Sequence, residues 1–187
     1  MGGGGLLVFL SFAAFSHFST IGAIAFANGD VFLGSTKTHS SYKISVNKND
    51  AKENVKVQKG MSLKTGSNGE TYFEMTNGIK VILDCETEVT IVAKRAINVL
   101  NGQIFLSVPA DIKADFNVFT ANGNVLTQSG DINIKVLPFE TLVTVAEGSA
   151  DLCNGNIKKT ILKGRQGRMT NGGDAVNVDD VIEWVNE

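Results

Sequence analysis

Residues 75–108 decide the fold, and they read MTNGIKVILDCETEVTIVAKRAINVLNGQIFLSV. Apolar residues recur at every second position on both sides of Asn77–Gly78, which is the period of a half-buried β-strand. An Asn-Gly pair between two such runs predicts a tight hairpin, because both residues tolerate the positive φ angles of a type I′ turn. Asn101–Gly102 stands between two further alternating runs and predicts a second hairpin. This stretch therefore predicts consecutive antiparallel strands.

The same pattern continues towards the C-terminus, where short apolar runs arrive at regular spacing. Glycine-containing pairs separate these runs, and they are Asn122–Gly123, Ser129–Gly130, Glu147–Gly148 and Lys163–Gly164. The chain has 20 glycines against 2 prolines, which suits many short strands joined by tight loops. We predict an all-β fold, an antiparallel meander that forms a twisted sandwich or a short β-solenoid. A short C-terminal helix is predicted at residues 179–185, where Val181, Trp184 and Val185 share one side.

The N-terminal segment predicts export. Residues 6–27 contain no charged side chain, and the segment ends in Ala25-Phe26-Ala27, a small-x-small pattern typical of signal peptidase sites. The predicted cut follows Ala27. An uncleaved single-pass anchor is the alternative, because the apolar stretch is long and residues 1–5 carry no Lys or Arg. We therefore expect the exported part to be periplasmic or extracellular, or else anchored in the membrane by its first segment.

The exported part is expected to be one β-domain. Residues 1–27 form the signal peptide or anchor, 28–54 a polar linker with an edge strand near 42–46, 55–173 the β-domain, and 174–187 a tail with the short helix. The formal net charge of −2 and the 43% hydrophobic content exclude a disordered acidic chain. They also give no electrostatic reason to expect nucleic acid as a partner.

Six short motifs within residues 55–173 resemble, in order, those of FecR-type domains. Residues 60–71, GMSLKTGSNGET, are similar to the family's opening G-x-x-L-x-T-G-x-x-G, and residues 73–83 to its next hairpin. Residues 98–104, NVLNGQI, resemble its v-x-L-x-x-G-x-v element, and 143–150, VTVAEGSA, its v-x-V-x-e-G-x-V element. Residues 116–121, FNVFTA, resemble f-x-V-x-T-P with Ala121 in place of the proline, and 162–167 the closing l-x-a-G-q.

The resemblance implies an exported domain and limits what can be carried over from the family. Membrane-bound FecR-type regulators hold a sigma factor with a cytosolic segment that precedes a transmembrane helix and the exported domain. Here only residues 1–5 could precede the apolar segment. The resemblance therefore implies the β-domain without the family's sigma-binding end.

The titratable residues predict no catalytic or metal site and no cofactor. His17 lies in the export segment and His39 in the polar linker, and a metal site needs several converging ligands. Asp84, Glu86 and Glu88 are expected to share the solvated face of one strand, and Asp179–Asp180 forms no further cluster. Residues 164–168, GRQGR, predict a surface hairpin turn, since two arginines do not build a phosphate-binding site.

Cys85 and Cys153 are the two cysteines of the chain. In an oxidising compartment such a pair often forms a disulfide, which would here close a loop of about 70 residues and contribute about 4 kcal/mol. The alternative is two unpaired thiols, because the sequence does not show how close the two Cα atoms lie.

The leading functional hypothesis is a non-enzymatic interaction module. It would use a rigid β-scaffold to bind another envelope protein or a glycan. A second hypothesis is a structural subunit of an extracellular assembly that self-associates through edge strands, with residues 28–50 as a donated strand. A third is an enzyme acting on glycans, which would need two convergent carboxylates, and a fourth is a membrane-anchored signalling remnant.

Overall fold

The computed structural model describes residues 20–46, 55–112, 114–171 and 175–178, and these residues fold into β-strands without any helix. The predicted all-β fold is confirmed. The strands are β1 (Thr20–Ser35), β2 (Ser40–Val46), β3 (Val55–Gln58), β4 (Met61–Thr65), β5 (Glu70–Met75), β6 (Lys80–Leu83), β7 (Glu88–Ala93), β8 (Ala96–Val108), β9 (Phe116–Thr120), β10 (Gly123–Thr127), β11 (Gly130–Val136), β12 (Glu140–Asn154), β13 (Ile157–Leu162), β14 (Arg165–Thr170) and β15 (Ala175–Val178).

One continuous sheet of 15 strands folds over on itself into two layers. Layer A has the strand order β3, β1, β5, β6, β8, β11, β12, β14, β15. Layer B has the order β2, β1, β4, β7, β8, β9, β10, β12, β13. Strands β8 and β9 pair in parallel, and the other pairs among the described residues are antiparallel. The predicted sandwich is therefore closed along its length by shared strands.

Strands β1, β8 and β12 belong to both layers. In β8 the residues before Gly102 pair with β7 and β9 in layer B, and those after it pair with β6 and β11 in layer A. The inward positions are odd-numbered before the bend, at Ile97 and Val99, and even-numbered after it, at Ile104 and Leu106. The alternation shifts by one residue because the strand has to keep its apolar side towards the core in both layers.

A single core fills the space between the layers. Its largest fully buried side chains come from both layers, and they are Phe73, Phe116, Ile24, Leu33, Leu63, Ile79, Leu83, Ile91, Ile97, Ile104, Leu106 and Ile132. Each apolar side chain of this kind contributes about 1.5–3 kcal/mol when it leaves water. The outer faces of the layers are thus the surfaces that remain available for recognition.

The six glycine-containing pairs have three structural roles: hairpin turn, bend within a strand, and connection between layers. The sequence predicted only the hairpin turn. Asn77–Gly78 and Asn122–Gly123 turn the hairpins β5–β6 and β9–β10, as expected. Asn101–Gly102 and Glu147–Gly148 are not turns but bends inside β8 and β12. The remaining two pairs, Ser129–Gly130 and Lys163–Gly164, connect strands of different layers that do not pair with each other. The predicted hairpin at Asn101–Gly102 is therefore wrong.

The sheet begins earlier in the chain than the sequence predicted. Residues 28–35, expected in a linker, belong to β1, where residues 31–35 lie between β2 and β4, and Ser40–Val46 form the expected edge strand β2. The predicted cleavage residues Ala25 and Ala27 lie inside β1, where Ala27 is buried. At the other end, β15 lies in the predicted tail, while the predicted helix at 179–185 and the segment 1–19 lie outside the described residues.

Candidate binding surfaces

The threonine of the opening motif has a structural role. Thr65 is buried at the end of β4, and its hydroxyl donates to the carbonyl oxygen of Asp84 at 2.6 Å and accepts from the N–H of Thr87 at 2.9 Å. Thr87, also buried, accepts from the N–H of Gln103 at 2.9 Å. These bonds join β4, the β6–β7 turn and the bend of β8, so the motif fixes the scaffold and leaves its outer faces for binding.

The outer face of layer A carries a row of apolar side chains. Phe26, Tyr72, Ile82 and Phe105 are directly opposite one another on β1, β5, β6 and β8, and we call them the aromatic row. Ile82 is 44% exposed, and the three rings are half-buried. Cross-strand aromatic and aliphatic neighbours of this kind support one another across the sheet. The result is a continuous apolar strip on a face that faces solvent.

The same row continues over the next strands with uncharged polar side chains. Asn133 on β11 lies opposite Phe105, and it is followed by Thr144 on β12 and Gln166 on β14. The amide of Gln166 donates to the hydroxyl of Thr144 at 2.8 Å. Both chemistries, apolar and neutral polar, therefore lie on one line across layer A.

Tyr72 is held in place by its neighbour two residues along β5. Its hydroxyl donates to Oε2 of Glu74 at 2.9 Å. Burial, together with this hydrogen bond and the negative charge of Glu74, raises the pKa of Tyr72 from 10.0 to about 12. The phenol is thus neutral and its ring is fixed against the sheet.

A preorganised loop stands at one end of the sandwich. Leu137, Pro138 and Phe139 connect β11 to β12, and Phe139 is 78% exposed, which makes it the most exposed of the large apolar side chains in the described residues. The N–H of Leu137 donates to the carbonyl oxygen of Glu140 at 2.8 Å, and the Asn122 amide donates to the carbonyl oxygen of Leu137 at 3.1 Å. A shallow apolar concavity of about 500 Å³ lies beside Phe139.

The outer face of layer B is a shallow groove of about 560 Å³ rich in hydroxyl groups. Ser41, Ser62 and Thr90 lie on one line across β2, β4 and β7, with Gly34 of β1 between the first two. An ideal Cβ at Gly34 would approach the Ser62 hydroxyl to 2.9 Å, so the glycine forms the floor of the groove. His39, to which the sequence assigned no catalytic or metal-binding role, also lines this groove. It lies in the β1–β2 loop and has a φ of 52°.

The predicted disulfide is not formed in this structure. Cys85 and Cys153 are free thiols, Cys85 exposed in the β6–β7 turn and Cys153 half-buried in β12. Neither β6 nor β7, which flank Cys85, pairs with β12, which carries Cys153. The negative charge of Asp84 raises the pKa of the Cys85 thiol, and burial raises the pKa of Cys153, so neither thiol is activated as a nucleophile.

The carboxylates do not share a strand face as predicted. Asp84 and Glu86 lie in the β6–β7 turn, where Glu86 has a φ of 52°, and Glu88 begins β7 and pairs with Lys64 at 3.3 Å. Within the described residues, no group of three or more His, Cys, Asp or Glu side chains could hold a metal ion. Residues 179–180 and His17 lie outside those residues.

Of the two arginines in 164–168, Arg165 is exposed, while Arg168 approaches Glu140 at 3.9 Å and keeps a buried Nε without a hydrogen-bond partner. Residues 163–164 connect layers instead of forming a hairpin turn. Across the described part of the chain, no helix has the length and apolar character needed to cross a membrane.

The sequence contains only part of the information that defines the aromatic row. Ile82 stands between Val81 and Leu83, and Phe105 between Ile104 and Leu106, so each interrupts the alternation with an outward apolar residue. That signal is readable in the sequence. The pairing register that places residues 26, 72, 82 and 105 side by side is not.

Comparison with known proteins agrees with this architecture. Residues 61–151 match the family model described as FecR protein. No curated protein matches the chain. Two crystal structures of a candidate anti-sigma factor from Parabacteroides distasonis, at 1.65 Å and 2.50 Å resolution, have the same fold.

The first of these structures is similar with a TM-score of 0.56 and 18% identity, and the second with 0.56 and 19%. Each match covers 67% of this chain and 62% of the other, so the chain spans less than two thirds of that protein's length. At this identity the likeness shows a common fold. Residues 61–151 of this chain, which match the FecR protein family model, carry most of the six ordered motifs.

Proposed function

We propose that this chain is an exported, non-catalytic FecR-like interaction module of the bacterial cell envelope. It binds another envelope protein through the loop of residues 137–140, and a glycan through a second surface treated below. Its location is the periplasm or the cell exterior. A regulatory role in signalling is the coarser form of the proposal, since the fold is shared with a candidate anti-sigma factor.

The exposure of Phe139 and the rigidity of its loop support the proposal that this loop binds another protein. An aromatic side chain that is 78% exposed buries little of its surface in its own domain. Its loop is fixed by Pro138 and by hydrogen bonds at both ends, so little conformational entropy is lost when a partner buries the ring. Rigid aromatic anchors that enter a pocket on the partner are typical of interaction hot spots.

A photo-crosslinking experiment tests this proposal. A benzophenone-bearing amino acid replaces Phe139 in one variant and Leu162 in another, because Leu162 is an apolar residue on β13 that is 62% exposed. Both variants are irradiated in envelope extract. We expect a discrete adduct from position 139 that position 162 does not give.

Competition makes the result specific. Unlabelled native protein should suppress the adduct at least ten-fold more effectively than the Phe139→Ser variant. Equal competition by that variant, or the same adduct from position 162, would refute the loop as the docking element.

A further inference from the structure

We infer that the outer face of layer A binds a neutral, linear polysaccharide that lies across the strands, with the aromatic row as its platform. This inference rests on the proposed function, because it assigns the glycan-binding surface of the same module. It concerns a surface separate from the Phe139 loop, so the two can fail independently.

The first support is the shape of the surface. Neighbouring strands lie about 4.8 Å apart, so the four apolar residues extend over about 14 Å and the whole row from Phe26 to Gln166 over about 29 Å. The twist of a sheet turns each strand relative to its neighbour about an axis that crosses the strands. The row of side chains runs along this axis, so it stays straight although the strands turn. A straight row matches an extended ligand.

The second support is the size of the apolar strip, which is too small to be the apolar centre of an ordinary protein interface. Outward residues along one strand are about 7 Å apart, so the strip of about 14 Å covers on the order of 100 Å². A stable protein interface buries about 800 Å² on each partner, and rather more than half of that area is apolar. A second copy of this chain would consequently gain too little apolar contact here, whereas a narrow chain one sugar wide would use the whole strip.

The third support is the distribution of charge. The row from Phe26 to Gln166 contains no charged side chain over seven neighbouring strands. The adjacent rows carry charges of both signs, with Glu74 opposite Lys80 on one side and Glu70, Lys135 and Arg168 on the other. A neutral ligand matches the uncharged row, whereas the flanking charges of mixed sign give an anionic polymer no uniform attraction.

The chemistry of the row suits a sugar chain better than a peptide. Sugar rings present C–H faces that pack on aromatic rings, and their hydroxyl groups bond to amides such as those of Asn133 and Gln166. A peptide that adds to a sheet needs a strand edge with unpaired backbone groups. The row lies in the middle of layer A, where the strands from β5 to β12 pair on both sides.

Affinity electrophoresis of the full chain tests the inference. Native gels contain hydroxyethylcellulose, galactomannan or dextran as neutral polymers, and alginate as an anionic one. We expect retardation by at least one neutral polymer and none by alginate. Failure of all three neutral polymers to retard the protein, or stronger retardation by alginate, overturns the inference.

A matched pair of variants locates the site. Ile82→Glu puts a charge into the row, and Leu100→Glu makes the same change on the outer face of layer B, where Leu100 is 47% exposed against 44% for Ile82. Ile82→Glu should weaken binding at least ten-fold, while Leu100→Glu and Phe139→Ser bind as the native protein does. Equal binding by Ile82→Glu and Leu100→Glu contradicts the site, and circular dichroism confirms that both exposed substitutions leave the fold intact.

Discussion

At the scale of single residues, Gly102 is the position that lets β8 serve two layers. Its φ is +92°, and an ideal Cβ would lie 2.4 Å from the Thr87 hydroxyl and 2.5 Å from the Thr87 Cα. Thr87 cannot move away, because it is fully buried and bonded to Gln103 and Thr65. The bend therefore depends on the absence of a side chain.

Gly102→Ala should lower the free energy of unfolding by about 2–5 kcal/mol. The positive φ costs about 1–2 kcal/mol for any L-residue with a side chain, and overpacking against Thr87 adds about 1–3 kcal/mol. Gly155→Ala is the control, since Gly155 has a φ of +56° but nothing within 4 Å of its Cβ position. Urea denaturation should show only about 1–2 kcal/mol for the control, and equal losses would contradict the steric account.

Tyr72 gives a titration signature of the aromatic row. Its pKa of about 12 lies above the ordinary 10.0, so the folded protein holds the phenolic proton more tightly than the unfolded chain does. The stability that Tyr72 contributes is therefore complete below pH 10 and is lost as the pH rises towards 12.

Near-ultraviolet absorbance of the phenolate should follow this titration. Glu74→Gln removes the negative charge beside the hydroxyl, so the Tyr72 midpoint should fall towards 10 while the contribution of burial remains. Tyr72→Phe identifies the transition, since the chain has only 2 tyrosines. An unchanged midpoint in Glu74→Gln would mean that the hydrogen bond to Glu74 is not formed in solution.

At the scale of elements, β1 contradicts the boundary that its composition suggests. Ile21, Ile24 and Ala27 are buried, and this half of β1 pairs with β3 and β5. An apolar run that begins before Thr20 and continues into a core strand has no change of composition at the junction. The sequence therefore could not separate an export segment from the first strand.

Removal of residues 1–27 should destabilise the domain more than removal of residues 1–19. Deletion of a buried Ile side chain typically costs about 2–5 kcal/mol, and the longer truncation removes two of them, Ile21 and Ile24. Thermal unfolding of the two truncated proteins measures the difference. Equal melting temperatures would show that β1 is dispensable before Asn28.

The mature N-terminus in the cell decides the predicted cut after Ala27. A fragment that begins at Asn28, identified by mass spectrometry, would rule out anchoring by residues 6–27. It would also remove Phe26 from the aromatic row and leave Tyr72, Ile82 and Phe105 as the platform.

The strands shared by both layers show which parts of the fold the periodicity of apolar residues can predict and which it cannot. The existence of the strands, their alternation and the all-β class follow from local pattern, because each strand buries one face. An Asn-Gly pair between two alternating runs has two structural solutions, a chain reversal or a bend between layers. Asn77–Gly78 takes the first and Asn101–Gly102 the second, and only the long-range pairing of β8 with β6 and β7 distinguishes them.

At the scale of the whole molecule, the edges of layer B oppose self-association. Strands β2 and β13 form these edges, and neither pairs on its far side with another described strand. Both carry lysines, Lys43 on β2 and Lys158 and Lys159 on β13, and edge lysines are a common protection against strand addition. Residues 31–35 are already paired on both sides within the domain, which disfavours their donation to another copy.

The protein should therefore be monomeric. Size-exclusion chromatography with light scattering should give one chain mass over a wide range of concentrations. A mass that increases with concentration, and that falls again when a further lysine is added to β13 by Thr160→Lys, would instead favour an assembly through edge strands.

The sharing of β1, β8 and β12 between layers determines how the molecule would respond to mechanical force. Phe26 and Phe105 of the proposed platform, and Thr144 of its polar continuation, belong to these three strands, whose opposite halves lie in layer B. Tension on a ligand held there would act across the strands, and the shared strands would pass the load to both layers instead of letting one layer peel from the other. Many backbone hydrogen bonds would then have to break together, so a small domain could resist the pull of a polymer under load.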